Sequence, residues 1–229
     1  MSTEYFEAQR QQMLATIRTN ASQVSAAIGK AALDDRVMKA MGKVPRHEFV
    51  PVEVRPLAYA NVPLPIGFEK TISQPFIVAL MTDLLDIQSD DAVLEIGTGL
   101  GYQTAILAEL AGKVYSIELI AELAQQGRQR LHREDYTNVK LKIGNGYHGW
   151  PEHAPFEKVL VTAAPDLIPP PLIYQLKAGG RMVIPVGLPE AQQLALVEKN
   201  RNGKVTTKEI LAVRFSVLEG SEEPASRVS

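Results

Sequence analysis

The stretch Val93-Leu94-Glu95-Ile96-Gly97-Thr98-Gly99-Leu100-Gly101 decides the fold of this 229-residue chain. Its first four residues are mostly apolar, and glycine then recurs at every second position. Residues 102–110 follow without glycine or proline and are compatible with a helix. An apolar run that stops at glycine and leads into such a segment predicts a strand, a tight turn and a helix. Glycine in this turn lets a ligand lie against bare backbone.

An acidic residue at the end of the next predicted strand indicates the kind of ligand. Strand 113–118 ends in Glu118, about twenty residues after Gly97, where a doubly wound fold places the carboxylate that binds ribose hydroxyls. Taken alone, the glycines also suit an ordinary strand-to-helix turn. Together with Glu118 they favour a cofactor that contains a nucleoside.

The glycine spacing then separates two classes of cofactor. Dinucleotide sites use G-x-G-x-x-G, whereas this chain has G-x-G-x-G. Glu95 precedes the glycines, and no Lys or Arg lies between Gly97 and Lys113. A negative residue without a cation suits a sulfonium and an ammonium group better than a pyrophosphate. We therefore predict S-adenosylmethionine, and the spacing argues against the alternative of a nicotinamide-dependent oxidoreductase.

The composition excludes several other classes of protein. Lys and Arg total 24 against 26 for Asp and Glu, a net charge of −2, so there is no basic surplus for binding nucleic acid. The absence of cysteine excludes disulfides, thiolate metal sites and a cysteine nucleophile. The sequence shows neither a signal peptide nor an apolar run long enough to cross a membrane. We expect a soluble, cytoplasmic protein with no metal site and no membrane or nucleic-acid partner.

Alternating strand and helix patterns predict an α/β fold, a doubly wound, mostly parallel Rossmann-like sheet with ligands at the carboxyl ends of its strands. A fifth strand is predicted at 181–187, after a short helix that Ala178-Gly179-Gly180 ends. Residues 192–198 and 205–217 flank Asn202-Gly203 and predict a β-hairpin that closes the sheet edge antiparallel. The polar tail 219–229 is expected to fray.

The N-terminal part is predicted to form a helical cap. Residues 4–30 and 34–41 show helical periodicity, whereas 45–51 and 59–67 are punctuated by proline and predict irregular structure. His47 is interpreted as a solvated or capping side chain. We expect residues 1–74 to form the cap and a substrate loop, and 75–229 to form the S-adenosylmethionine-binding core with its C-terminal hairpin. The two parts should pack as one compact unit.

Ser73 has two interpretations. Pro75 suits the first turn of the apolar helix 76–85, which places Ser73 or Gln74 at its N-cap. On this local pattern alone the N-cap interpretation of Ser73 is favoured.

Four segments of the chain together resemble the protein L-isoaspartyl O-methyltransferase family. They are Thr71-Ile72-Ser73-Gln74-Pro75, the run from Val93 to Gln103, Gly149-Trp150-Pro151 and the run from Thr162 to Gly187. The first segment is the specific one, because many methyltransferases share the glycine motif. The resemblance implies methyl transfer from S-adenosylmethionine to the α-carboxyl group of an L-isoaspartyl residue in a damaged protein or peptide. S-adenosylhomocysteine is the other product, and collapse of the ester to a succinimide initiates repair.

The resemblance also implies roles for individual residues. Ser73 becomes the catalytic hydroxyl that contacts the substrate carboxylate, Glu118 binds ribose, and the Asn145 loop binds adenine. The cofactor's methionine end is assigned to Gly97, Thr98, Gly99 and Gly101. Further cofactor contacts are expected from Gln74, Glu95, Leu119, Gly146 and Thr162. Substrate contacts beside Ser73 are expected from Ile66, Thr71, Ile72 and Ala163.

Three departures from the family pattern keep a second hypothesis open. The family usually carries Asp where this chain has Asn145, a glycine-rich stretch where it has Phe68-Glu69-Lys70, and a Phe-Val-Pro-Leu-like segment where it has residues 215–218. The first departure affects adenine recognition and the others affect the substrate mouth. The alternative is a catalytically weak paralogue that binds S-adenosylmethionine and acts on another acceptor or serves as a protein-binding module. For the main hypothesis we expect a monomer whose partners are isoaspartyl proteins or peptides.

Overall fold

A seven-stranded sheet forms the centre of the computed structural model, which describes residues 3–220. Within these residues the strands, in chain order, are β1 (Leu64–Gly67), β2 (Lys70–Ile72), β3 (Ala92–Ile96), β4 (Lys113–Glu118), β5 (Val139–Ile143), β6 (Phe156–Val161), β7 (Leu176–Val186), β8 (Gln193–Lys199) and β9 (Val205–Ala212). The large sheet has the order β5-β4-β3-β6-β7-β8-β9, parallel from β5 to β7 and antiparallel thereafter. This order confirms the predicted mostly parallel, doubly wound α/β fold with an antiparallel C-terminal hairpin.

Helices alternate with the parallel strands and cover the sheet. In chain order they are α1 (Thr3–Gln23), α2 (Ser25–Ile28), α3 (Asp35–Lys43), α4 (Pro75–Leu85), α5 (Tyr102–Ala108), α6 (Ala121–Arg133) and α7 (Pro170–Gln175). Two short 3₁₀ helices, Arg46–Phe49 and Val52–Leu57, connect the N-terminal helices to the first hairpin. None of the helices within residues 3–220 combines the length and apolar character that crossing a membrane requires.

The central strands are largely apolar on both faces because helices cover both sides of the sheet. On β3, Val93 and Leu94 are fully buried, and Leu94 pairs with Tyr115 of β4 on one side and Val159 of β6 on the other. The carboxyl ends of these three parallel strands therefore lie at one edge of the sheet. The glycine turn that begins at Gly97 starts at this edge.

The C-terminal strands confirm the hairpin and correct its neighbours. β7 begins at Leu176, five residues before the predicted start. The preceding helix α7 already ends at Gln175, so Gly179 lies within the strand and does not end the helix. Gly179 has φ +86°, and the register between β6 and β7 shifts in this region, as a bulge produces. β9 ends at Ala212, so residues 213–217 leave the hairpin that was predicted to contain them.

Strands β1 and β2 form a hairpin that the sequence did not predict. Proline in residues 59–67 suggested irregular structure, yet Pro65 pairs with Thr71 in a two-stranded antiparallel ribbon. A two-stranded ribbon has only edge strands, and an edge strand tolerates proline. Phe68 and Glu69 form the turn between the strands with φ values of 53° and 57°. Both residues lie in the left-handed backbone region, which residues other than glycine and asparagine adopt at a cost in free energy.

The N-terminal helices pack on the core. Phe6, Met13 and Ile17 of α1 are buried, and α1 packs against α3 and α4.

His47 is not a solvated side chain, which corrects the interpretation from the sequence. Its ring stacks on Phe6 with 3.8 Å between centroids, and Tyr59 Oη lies 2.8 Å from Nδ1. Burial lowers the pKa of His47.

A buried hydroxyl network supports the glycine turn from below. Glu95 of β3 is fully buried, and its Oε2 accepts hydrogen bonds from Thr104 Oγ1 (2.6 Å) and Ser116 Oγ (2.5 Å). Ser116 in turn lies 2.5 Å from the Thr98 hydroxyl. Glu95 Oε1 has no hydrogen-bond partner within the described part of the chain. Burial raises the pKa of Glu95 to about 7, although the Ser116 and Thr104 hydrogen bonds act in the opposite direction.

Residues 221–229 lie outside the described residues, and most of the predicted frayed tail falls there.

Replacing the strained turn should stabilise the protein. Asparagine followed by glycine is the preferred pair when both central turn residues have positive φ. The double variant Phe68→Asn/Glu69→Gly should therefore raise the free energy of unfolding by about 1 kcal/mol. Gly203→Ala is the matched control, because Gly203 has φ +81° and open space around it, and it should lower stability. Urea denaturation measures both; a destabilised double variant would contradict the strain at this turn.

Glu95→Gln should change stability in a pH-dependent way. A folded-state pKa raised above the unfolded value stabilises the fold at acidic pH, and that contribution is lost as the pH rises through about 7. Glutamine copies the neutral acid, so the variant should match the unmodified protein near pH 5 and exceed it at pH 8 by up to roughly 3 kcal/mol. Denaturation at both pH values tests this, with exposed Glu190→Gln as the control for net charge. Equal differences at the two pH values would show that Glu95 titrates normally.

Candidate active site

The glycine turn lies where β3 and β6 end side by side. Gly97, Gly99 and Gly101 have φ values of +98°, +55° and +96°. A Cβ atom on Gly97 would lie 2.2 Å from Thr162 Oγ1, and the Thr162 hydroxyl donates to the carbonyl oxygens of Ile96 (3.0 Å) and Gly97 (2.9 Å). No side chain fits at Gly97, because the end of β6 occupies that space.

Glu118 is fixed beside this turn at the end of β4. The Gly99 N–H donates to its Oε2 (2.8 Å), and the Ile120 N–H donates to its Oε1 (3.0 Å). Each carboxylate oxygen can accept further hydrogen bonds, because an ionised carboxylate has about four acceptor positions. The acid is therefore oriented by the backbone and still able to bind a pair of hydroxyls.

A cavity of about 100 Å³, which we term the cofactor cavity, lies against the turn and Glu118. The predicted site residues on its wall are Ile66, Thr71, Gly97, Gly99, Glu118, Leu119, Gly146, Thr162 and Ala163. The apolar lining of the cavity was not predicted from the sequence; it includes Ile96, Ile117, Ile120 and Leu123. These residues occupy strand ends and the start of α6, a position typical of ligand contacts in a doubly wound fold.

The chemistry of this wall fits an adenosyl group attached to a cationic chain. An apolar slot beside a fixed carboxylate matches adenine and ribose, and bare glycine backbone allows a close approach. Among the residues that the structure describes, Lys70 is the one cation on this wall, and it forms an ion pair with Glu219. No group of three or more His, Cys, Asp or Glu side chains in residues 3–220 is arranged to hold a metal ion.

Ser73 lies in the loop before α4 and is not the N-cap of that helix. The N-cap residue is Gln74, whose side chain makes no capping hydrogen bond. The Phe76 N–H is instead capped by Asn61 Oδ1 at 2.9 Å. Because Asn61 supplies this bond from a distant segment, the sequence around Ser73 could not reveal it. The N-cap interpretation of Ser73 is therefore wrong.

Two further cavities place Ser73 between the cofactor cavity and the surface. A small cavity of about 50 Å³ contains Ser73, Ile72, Gly97 and Thr98 on its wall. A cleft of about 620 Å³ contains Ser73 and Gln74, and it shares Thr71 and Thr162 with the cofactor cavity. A ligand in the cleft can thus reach the glycine turn past Ser73.

Some predicted cofactor contacts lie away from the cofactor cavity. Glu95 is buried beneath the turn, so the structure corrects the expected direct contact to a supporting position. Gly101 leads into α5, and a Cβ atom there would lie 3.0 Å from Leu131 Cγ, so its role is to let α6 pack closely. Gln74 lines the large cleft rather than the cofactor cavity.

Asn145 is engaged by its own loop and by the end of the described chain. Its Oδ1 accepts from the Tyr147 N–H (2.9 Å), and its Nδ2 donates to the Gly220 carbonyl (2.9 Å). Asn145 itself is not on the cavity wall, whereas the next residue, Gly146, is. A Cβ atom on Gly146 would lie 2.2 Å from Ile96 Cγ2, so this loop packs directly on β3.

The structure adds a wall that the sequence did not assign, the return segment of residues 213–220. From the edge strand β9 this segment runs back to the exit of β6, where Ala164 N–H donates to Ser216 O (2.8 Å) and Leu218 N–H donates to Ala164 O (2.9 Å). Buried Gln192 binds both backbone groups of Phe215. In the sequence, the departure of residues 215–218 from the family pattern was the signal that could have indicated this wall. Residues 216–219 line the cofactor cavity.

Sequence comparison relates the chain to known proteins over nearly its whole length. A family model described as protein-L-isoaspartate(D-aspartate) O-methyltransferase matches residues 19–223. Protein-L-isoaspartate O-methyltransferase 1 of a Polaromonas species is 67% identical over 97% of this chain and 94% of that protein. Protein-L-isoaspartate O-methyltransferase 2 of Syntrophobacter fumaroxidans is 56% identical over 94% of this chain and 87% of that protein.

Solved structures give the same result for the fold. A protein-L-isoaspartate O-methyltransferase structure superposes with a TM-score of 0.78 at 26% identity, over 92% of this chain and 66% of that chain. A Plasmodium falciparum chain described as a protein-L-isoaspartate O-methyltransferase, in complex with S-adenosyl-L-homocysteine, has a TM-score of 0.73 at 21% identity, over 89% of this chain and 97% of that chain. From the family model and these relatives, the chain belongs to the protein-L-isoaspartate(D-aspartate) O-methyltransferase family.

Proposed function

We propose that this protein transfers the methyl group of S-adenosylmethionine to the α-carboxyl group of L-isoaspartyl residues, with Ser73 as the hydroxyl that orients the acceptor. The observation that carries the proposal is the position of Ser73. It lies on the walls of a small cavity against the glycine turn and of a large cleft open to solvent. An acceptor in the cleft and a donor at the turn would meet at this residue.

The proposed mechanism requires few reactive side chains. The acceptor carboxyl group is ionised at pH 7, so it needs no general base from the protein. When bound, S-adenosylmethionine supplies a methyl group on a positively charged sulfur. The Ser73 hydroxyl would orient the acceptor carboxylate toward that group, and the apolar wall around the glycine turn would limit access of water. Orientation and exclusion of water therefore supply the rate enhancement, since opposite charges neutralise in the transition state.

The cofactor is assigned to the cavity beside Glu118. In this proposal Glu118 accepts from the ribose hydroxyls, the backbone of Gly97 and Gly99 faces the methionine end, and the loop at Gly146 faces adenine. The bound S-adenosyl-L-homocysteine of the Plasmodium falciparum relative supports this class of ligand. Asn145 contributes through the loop that it caps, because both of its side-chain polar atoms already have partners.

Location, assembly and partners belong to the same proposal. We propose a cytoplasmic monomer that acts on isoaspartyl-containing proteins and peptides. A cysteine-free sequence is compatible with a reducing compartment. The alternative of a catalytically weak paralogue is not favoured, because the relatives at 67% and 56% identity carry the name of the enzyme.

Ser73→Ala should impair turnover while leaving the fold and cofactor affinity nearly unchanged. Loss of a hydroxyl bond to a charged group should cut methylation of an isoaspartyl peptide roughly ten- to hundredfold at saturating S-adenosylmethionine. The melting temperature should move by a few degrees at most, because Ser73 does not cap α4. A radiolabelled methyl-transfer assay on an isoaspartyl peptide and its aspartyl twin measures this, with exposed Ser89→Ala as the control. Normal turnover by Ser73→Ala would remove Ser73 from the reaction.

Glu118→Gln should weaken cofactor binding without unfolding the protein. Glutamine keeps one acceptor but loses the charge, and a hydrogen bond to a charged group is worth roughly 1.5–3 kcal/mol. Affinity for S-adenosylmethionine, measured by calorimetry, should therefore fall by roughly ten- to hundredfold. Exposed Glu122→Gln, in the first turn of α6, makes the same charge change nearby and should bind normally. Equal affinities for the two variants would exclude Glu118 from the ribose site.

A further inference from the structure

Arg46 is a buried cation without a counter-ion among residues 3–220. Its side chain is fully buried, Nε donates to Ala58 O (2.7 Å), and Nη2 donates to Ser73 O (2.7 Å). Nη1 has no hydrogen-bond partner within the described part of the chain. No carboxylate in residues 3–220 forms an ion pair with this guanidinium, in contrast to Arg36, Arg55 and Arg181.

Such burial is costly, so the contacts of Arg46 need an explanation. A buried charge is normally paired, and an apolar side chain of similar volume is often at least as stable in its place. Here the partners are two carbonyl oxygens and the face of the Tyr102 ring, 4.7 Å from the guanidinium carbon. Burial lowers the pKa of Arg46 to about 10, which leaves it charged at neutral pH.

The guanidinium connects three segments that meet at the active site. Ala58 follows the second 3₁₀ helix, Ser73 belongs to the loop before α4, and Tyr102 is the first residue of α5, directly after the glycine turn. Arg46 therefore fixes the Ser73 main chain relative to the turn. In a trans peptide the C=O and N–H point in opposite directions, so the Gln74 N–H points away from Arg46. The positive end of this peptide dipole is thus directed away from the buried cation.

We propose that Arg46 is a positioning residue for the methyl acceptor, and that its uncompensated positive charge behind Ser73 makes the site select an anionic carboxyl group over a neutral one. This inference rests on the proposed function. The arginine does not touch the acceptor; it holds the Ser73 main chain and adds a positive potential that an incoming carboxylate neutralises. The substrate then supplies the counter-charge that residues 3–220 do not provide.

The proposal predicts a selective loss in acceptor binding. Arg46→Met removes the charge and both hydrogen bonds, so the KM for an isoaspartyl peptide should rise at least tenfold. The Kd for S-adenosylmethionine should stay within twofold, because Arg46 lies outside the cofactor cavity. Arg46→Lys keeps the charge without the planar fork and should raise KM by a smaller factor. Phe49→Leu is the matched control: Phe49 is fully buried beside Tyr102, and this variant should lose stability with KM unchanged.

A second measurement separates charge from structure. The α-carboxamide twin of the isoaspartyl peptide is measured as a competitive inhibitor. The preference for carboxylate over carboxamide is the ratio of its inhibition constant to the KM of the isoaspartyl peptide. The unmodified protein and Phe49→Leu should share one preference for carboxylate over carboxamide, and Arg46→Met should reduce that preference at least fivefold.

An unchanged KM and an unchanged preference in Arg46→Met would overturn the inference. If Arg46→Met does not fold, Arg46→Gln takes its place, because glutamine removes the charge but keeps hydrogen-bond donors; an unchanged KM and an unchanged preference in that variant would overturn the inference equally. If instead the unmodified protein fails to methylate the isoaspartyl peptide, the proposed function fails, and the two failures are distinct.

Discussion

The site depends on the contact between the ends of β3 and β6, where there is no room for a side chain on Gly97. The Thr162 hydroxyl occupies that space and binds the carbonyl oxygens of Ile96 and Gly97. This contact fixes the direction in which the chain leaves β3. The Gly99 N–H is thereby placed on Glu118, and the cavity opens between the turn, the carboxylate and the exit of β6.

The elements that could be predicted from the sequence are those with a local signal. Apolar runs and glycine spacing define β3, the turn and α5, and the position of Glu118 follows from the length of one helix and one strand. Residues as far apart in the chain as Gly97 and Thr162 line one cavity, because parallel strands align their carboxyl ends. The local sequence pattern favoured a helix cap for Ser73. Only the resemblance to the family indicated that Ser73 is a site residue.

The features that could not be predicted depend on residues far apart in the chain. Asn61 caps α4 in place of Ser73, and Lys70 meets Glu219 across a separation of 149 residues. Periodicity also does not show that the glutamate of an apolar strand faces hydroxyls beneath a turn, as Glu95 does, or that Arg46 is enclosed. Burial of a polar residue is set by tertiary packing, and the pattern of one segment does not contain it.

The return segment sets a limit on where the chain can change in length. β9 lies at the edge of the sheet, and residues 213–216 extend from it to the bridge at Ala164, near the exit of β6. An extended residue covers at most about 3.6 Å, so a deletion in this segment would shorten its reach. Either buried Leu218 would leave the core, or the pairing between β9 and β8 would break. Insertions in the exposed loop 200–204 meet no such limit, because a longer loop adds only a small entropic cost. Fusions and sequence tags therefore belong at the hairpin tip, and the spacing between the last strand and the cavity must be kept.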